Sequence, residues 1–161
     1  MMDELVKELE RAGHEYKANR KWVSRTRARP PRHLDEAFHA EHHEAFSRID
    51  CLDCANCCKT TSPIFRDIDI DRLARHLNLR PAELVERYLH LDGEGDYVLN
   101  AAPCPFLGAD NYCSVYESRP RACREYPHTD RKNMLAILPL TLRNTLICPA
   151  VARIVRALRE A

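Results

Sequence analysis

No run of about 18 apolar residues occurs in this 161-residue chain, so no transmembrane helix is expected. The amino-terminal stretch MMDELVKELERAG is acidic and amphipathic, without the basic and apolar regions of a secretory signal. Net charge is nearly absent as well. Twenty-five Lys and Arg against 24 Asp and Glu leave +1, so no global field favours nucleic acid or a membrane. A P-loop, a G-x-G-x-x-G and a nucleophile–base–orienter signature are all missing. So are internal repeats and low-complexity segments. These absences describe a cytoplasmic chain whose thiols stay reduced, and they leave no residue marked as catalytic.

Cysteine is what the chain does have. Four thiols fall in eight residues, Cys51-Leu52-Asp53-Cys54-Ala55-Asn56-Cys57-Cys58, and Cys104, Cys113, Cys123 and Cys148 follow singly. In a reducing compartment eight cysteines in clustered spacing point to metal; export would make four disulfides the alternative. C-x-x-C lets two sulfurs reach one ion around a turn, as in structural zinc sites and iron–sulfur proteins. Cys51, Cys54 and Cys57 repeat that step like the opening of a bacterial ferredoxin pattern, and Cys104-Pro105 and Cys148-Pro149 supply the Cys-Pro step of a remote ligand. Side chains of the adjacent Cys57 and Cys58 diverge in most conformations, which predicts two four-sulfur sites or one spare thiol. Spacing alone does not choose the partition. His39 and His43, four apart on one helical face, and His128, five residues after Cys123, are minor candidates. Arg119, Arg121 and Arg124 around Cys123 suit either a thiolate centre or pairing with Glu117 and Glu125.

Apolar periodicity predicts helices over 2–23, from just after Pro31 to about Ile49, over 67–77, over 81–89 with Pro81 at its start, and from Pro149 to the carboxyl end. The octet 51–58 is expected as loop or tight turn, and residues 131–147 as a helix kinked or broken at Pro139. Asp92–Asp96 reads as a turn. The β-prone runs 97–99 and 112–116 are expected to pair as an antiparallel ribbon. The fold class is therefore mainly α, an irregular helical single domain with a small antiparallel β-ribbon around a cysteine-bound metal centre. Residues 1–49 form an N-terminal helical arm and 50–161 a metal-binding domain. The run Arg20–Arg32 is strongly basic; its plain reading is a solvated helix end, and its functional one a dock for a protein partner.

Cys51-x-x-Cys54-x-x-Cys57-Cys58, Pro103-Cys104-Pro105-Phe106-Leu107 and Cys113-x-Val115-Tyr116-Glu117-x-Arg119-Pro120-x-x-Cys123-Arg124-x-Tyr126-Pro127 together resemble the YkgJ-like cysteine-cluster family, the CxxCxxCC zinc- or iron-chelating domain, over about residues 50–150. The resemblance implies a metal-chelating domain with eight ligand cysteines, all present here, holding zinc or iron with an iron–sulfur cluster as an option. Some members of that family are labelled iron–sulfur oxidoreductases, and a related cluster occurs in flagellin lysine-N-methylases. Metal binding is thus the leading expectation, beside an iron–sulfur-dependent enzyme (oxidoreductase or methyl transfer) and a metal-stapled protein-interaction module.

Overall fold

The computed structural model describes residues 2–161. Their contacts gather into two compact units, one running up to Cys54 and resuming over Pro127–Ala161, the other Ala55–Tyr126. The chain is mainly α with one two-stranded antiparallel sheet among the described residues, as expected from the sequence.

In the first unit, α1 spans Met2–Ala28 and α2 Leu34–Phe46. Leu5, Ala12, Asn19, Val23 and Thr26 are the buried residues of α1. Their spacing leaves Met2 and Val6 exposed. Pro30 and Pro31 follow closely and keep the preceding residue out of the α region. Helix α2 stops at Phe46, short of Ile49, where the Ser47 hydroxyl donates to Glu44 O at 2.7 Å. The segment 131–147 begins as a 3-10 turn over Met134–Ile137, and α8 follows over Leu138–Asn144. Pro139 therefore opens α8, where its missing N–H is not needed, and the break falls just ahead of it. The last helix, α9, covers Pro149–Glu160, with Ala150, Val151, Ala152, Ile154 and Val155 buried.

Helix α9 packs on α1 and α2 around Phe38, Met134, Leu138 and Ile154, and Trp22 tilts onto Phe38 at 6.3 Å. Its arginines also meet the acids of α1. Arg153 pairs with Glu8 at 3.2 Å, Arg156 with Glu8 and with Glu15 (2.8 Å), and Arg159 with Glu15 (3.3 Å) and the Asn19 side chain (3.1 Å). Partner numbers rise together, so α1 and α9 run in the same direction. The α2 side chains clip the segment after Pro127: Asp35 accepts from the Asn133 and Met134 N–H at 2.8 Å, and His42 Nδ1 bonds Thr129 Oγ1 at 2.8 Å.

The second unit holds α5 (Asp67–His76), α6 (Pro81–Tyr88), β1 (Leu89–Leu91) and β2 (Tyr97–Leu99), together with shorter helical turns that carry thiols. Its core is Phe65, Ile70, Leu73, Ala74, Leu84, Leu89, Leu99, Phe106 and Val115. The ribbon differs from expectation. Tyr97–Leu99 pairs with Leu89–Leu91, in register Leu89↔Leu99, and not with residues 112–116. The Asp92–Asp96 turn is the reason. Asp92 Oδ1 accepts the N–H of Glu94 and Asp96 at 2.9 and 3.0 Å, and Gly95 supplies φ +83°. A short closed loop makes the local pairing cheaper in chain entropy than a distant one. Residues 112–116 contribute a single bridge, Leu107↔Cys113, and lead into a 3-10 turn over Tyr116–Ser118.

Candidate metal centre

Of the two forms expected for the octet, loop or tight turn, the structure shows tight helical turns. Cys51–Cys54 forms a single helical turn, α3, and Asn56–Thr60 a second, α4, with left-handed Ala55 (φ 48°) between them. Asp50 starts α3, its Oδ1 accepting from the Leu52 N–H at 2.9 Å. The C-x-x-C step is a three-residue spacing, so one helical turn places both sulfurs on one side. No disulfide joins any of the eight cysteines.

The first unit contains Cys51, Cys54 and Cys148. Cys148 stands at the N-cap of α9, where the backbone amides of Val151 and Ala150 favour its thiolate. Burial pushes this thiol up to about 12 against those donors, and charge on Cys51 or Cys54 pushes the same way. These three sulfurs share one electrostatic neighbourhood.

The second unit contains the other five. Cys123 lies on a one-turn helix, α7 (Arg121–Glu125). Burial, then Cys58, Cys104 and Cys113, push its thiol up to about 12, and Arg119 opposes them. The Cys104 thiol is raised first by burial and then, against the Phe106 N–H, by Cys58 and Cys113. Cys58 behaves oppositely. The Cys57 side chain hydrogen-bonds to it, and Arg119 and Lys59 help to bring it down to about 7 despite burial. The backbone holds the set together: Cys104 N donates to Cys58 O at 2.8 Å, and Ser114 N, beside Cys113, to Phe106 O at 2.8 Å.

Both Cys-Pro steps build the same local device. The amides of Phe106 and Leu107 favour the Cys104 thiolate, as those of Ala150 and Val151 favour that of Cys148. Proline fixes the turn and offers no N–H of its own, so the nearest amide donors are those that follow it. Such donors favour thiolate over thiol. Among the described residues, no three Cys, His, Asp or Glu side chains stand ready-arranged around an ion. The donor chemistry nevertheless suits a thiophilic cation, since buried, mutually repelling sulfurs ionise together only with positive charge between them.

The other candidates separate cleanly. His39 Nε2 bonds Arg131 O at 2.9 Å, and the His42 ring packs on Phe46 at 4.7 Å, so both serve the clip on the post-127 segment. Arg119 donates to Tyr116 O at 2.8 Å and lies 3.6 Å over the Tyr116 ring, while Arg121 pairs with Glu125. Arg119 thus acts on the thiols and Arg121 on its own helix. Sequence reading missed Asp69 and Arg72, which hold the turn leading to Cys123. Of the three alternating aspartates, Asp67, Asp69 and Asp71, only Asp69 is buried.

A family model described as "CxxCxxCC: Putative zinc- or iron-chelating domain" matches residues 50–141, more than half of the chain. The chain belongs to the CxxCxxCC family. Chelation of zinc or iron is the function that this membership carries. Seven of the eight cysteines lie inside the CxxCxxCC match; Cys148 lies beyond it, so its case rests on Cys51, Cys54 and the α9 amides. No curated protein and no solved structure matches this CxxCxxCC chain. No described helix is long and apolar enough to cross a membrane.

Proposed function

We propose that the protein binds zinc or iron through two thiol sets, Cys58, Cys104, Cys113 and Cys123 in one unit and Cys51, Cys54 and Cys148 in the other. Cys57, the eighth candidate, stands beside Cys58 as its hydrogen-bond partner. The observation that carries this reading is the Cys123 thiol, raised by burial and by three other sulfurs together. A bound cation supplies the charge that turns such sulfurs into thiolates. The protein contributes the amides at Cys104 and Cys148 and the guanidinium of Arg119, which stabilise that negative charge. Thiolate ligands of this kind belong to a reducing compartment such as the cytoplasm. An all-sulfur set suits tetrahedral zinc or an iron–sulfur cluster equally.

The test is elemental analysis of anaerobically purified variants. Cys123→Ser and Cys148→Ser are each expected to lose about half of the metal, because each touches one set. Loss of all metal in both variants would mean a single site, and full retention in either would remove that set from the reading.

We further propose that the basic end of α1 docks an acidic protein partner. Lys17, Arg20, Lys21, Arg25, Arg27, Arg29 and Arg32 are exposed and have no ion pair among the described residues, whereas Glu8 and Glu15 of the same helix are taken by α9. Arg25, Thr26, Ala28 and Arg29 line a recess of about 450 Å³. Deleting the arm is a poor test, since Leu5, Ala12 and Val23 belong to the core. Reversing Arg20, Lys21 and Arg25 to Glu is expected instead to abolish salt-sensitive binding of a polyglutamate peptide while metal content stays the same. Equal binding by the reversed protein would contradict the docking role.

A further inference from the structure

We infer that Asp69, acting with Arg72, is the positioning residue for the Cys123 ligand of the four-thiol set; this rests on the metal-binding reading above. Asp69 is 1% exposed, yet it is a carboxylate. One oxygen accepts from the Arg66 N–H at 3.0 Å and from Arg66 Nε at 3.3 Å. The other accepts from Arg72 Nη2 at 2.9 Å and from the backbone N–H of Arg121 at 3.2 Å. Arg72 Nη2 donates in turn to the carbonyl of Arg119 at 2.8 Å. The carbonyl before Pro120 and the N–H after it are thus both held by one ion pair whose carboxylate is buried.

Pro120 is the N-cap of α7, and the Cys123 N–H donates to the Pro120 carbonyl at 3.0 Å. A five-residue helix has no stability of its own, so its direction comes from what grips its ends. The grip on its first turn is the Asp69–Arg72 pair, anchored in the ten-residue α5, whose Ile70, Leu73 and Ala74 lie in the core. Burying an ion pair is a poor way to gain stability, because apolar residues of similar volume serve as well or better. Its use here is geometric: it aims the sulfur of Cys123 toward Cys58, Cys104 and Cys113, whose charges it senses. Burial opposes ionisation of Asp69, but the amides and guanidinium groups around it outweigh burial and hold its carboxyl below the usual range.

Asp69→Asn keeps the shape and turns an NH2 group toward one pair of donors in either orientation. The probe is Co(II), titrated anaerobically into the full-length protein and read by thiolate-to-cobalt absorption. Asp69→Asn is expected to weaken one cobalt equivalent by about 10- to 100-fold, with an altered ligand-field spectrum, and to leave the other equivalent as in the wild type. In a Cys123→Ser background the same substitution is expected to change cobalt affinity no further, since the ligand it positions is gone. Arg72→Met leaves the bonds of Asp69 to Arg66 and Arg121 in place and is expected to give a smaller loss in the same direction; it decides the matter if Asp69→Asn does not fold. Wild-type affinity and spectrum in the folded variants, or effects of Asp69→Asn and Cys123→Ser that simply add, would overturn the inference while leaving the metal reading intact. Absence of thiolate–cobalt absorption in the wild type would overturn both.

Discussion

Stripping the metal is expected to unfold residues 55–126 while residues 2–54 and 127–161 keep their helices. The second unit has little else to stand on. Its core is nine residues, its two longer helices cover Asp67–His76 and Pro81–Tyr88, and its sheet is two three-residue strands. Small units of this kind usually need a metal or disulfides to be stable. The cysteines of its four-thiol set lie at Cys58, on the strap from Cys104 to Cys113, and on α7, so one ion ties together the segments with least secondary structure. Structural zinc in small domains contributes apparent energies of about 10–16 kcal/mol, larger than the whole stability of many domains. The first unit differs. Helix α1 has 27 residues and α9 has 12, and they join α2 around fully buried Phe38, Met134 and Leu138. Hydrogen exchange before and after anaerobic chelation reads the two units separately. Protection is expected to vanish in α5 and α6 and to persist in α1 and α9. Equal loss in both units, or none in α5 and α6, would contradict a stapling role for the four-thiol set.

Arg156→Leu is expected to lower the stability of the first unit by about 2 kcal/mol, because it leaves two half-buried carboxylates without their buried central cation. Arg156 is 8% exposed and bridges Glu8 and Glu15. Arg153 and Arg159 still reach these acids, which keeps the loss below the range for broken buried pairs. Burial opposes ionisation of Glu15, but Arg156 and Arg11 outweigh it and hold the carboxyl below its ordinary value near 4.5. A carboxyl lowered on folding stabilises the protein above its unfolded pKa, and that stability is lost as pH falls through the folded value. The wild type should therefore lose stability as pH drops below about 4.5, and the gap to Arg156→Leu should narrow there. Denaturant unfolding at pH 7 and pH 3.5 measures both. An equal gap at the two values would mean that Arg156 acts through packing of its stem rather than through charge.

Several elements were legible in the chain because one local signal decided them. Pro81 and Pro149 open helices as their fixed φ requires, and the apolar faces of α6 and α9 follow from spacing. The ribbon was misread because Leu89 continues the helical spacing of Leu84, Val85 and Tyr88, which hid the strand Leu89–Leu91. The octet was read as loop or tight turn; its three-residue steps settle into two single helical turns. At the site, the eight thiols and the two Cys-Pro steps are visible in the sequence. Their grouping is not, since it depends on which unit each thiol folds into, and Cys51, Cys54 and Cys148 are brought together by packing of α9. Asp69 was hidden for a similar reason. Alternating Asp and Ile residues over 67–71 do not tell which acid turns inward until the Arg119–Arg121 turn lies beside it.

The most direct measurement is the metal content and visible spectrum of the full-length protein purified without oxygen. Stoichiometric zinc in colourless protein, or iron with thiolate-to-iron absorption, is the expected result, with the metal protecting the cysteines from alkylation. Folded, metal-free protein whose eight thiols all react would contradict the account.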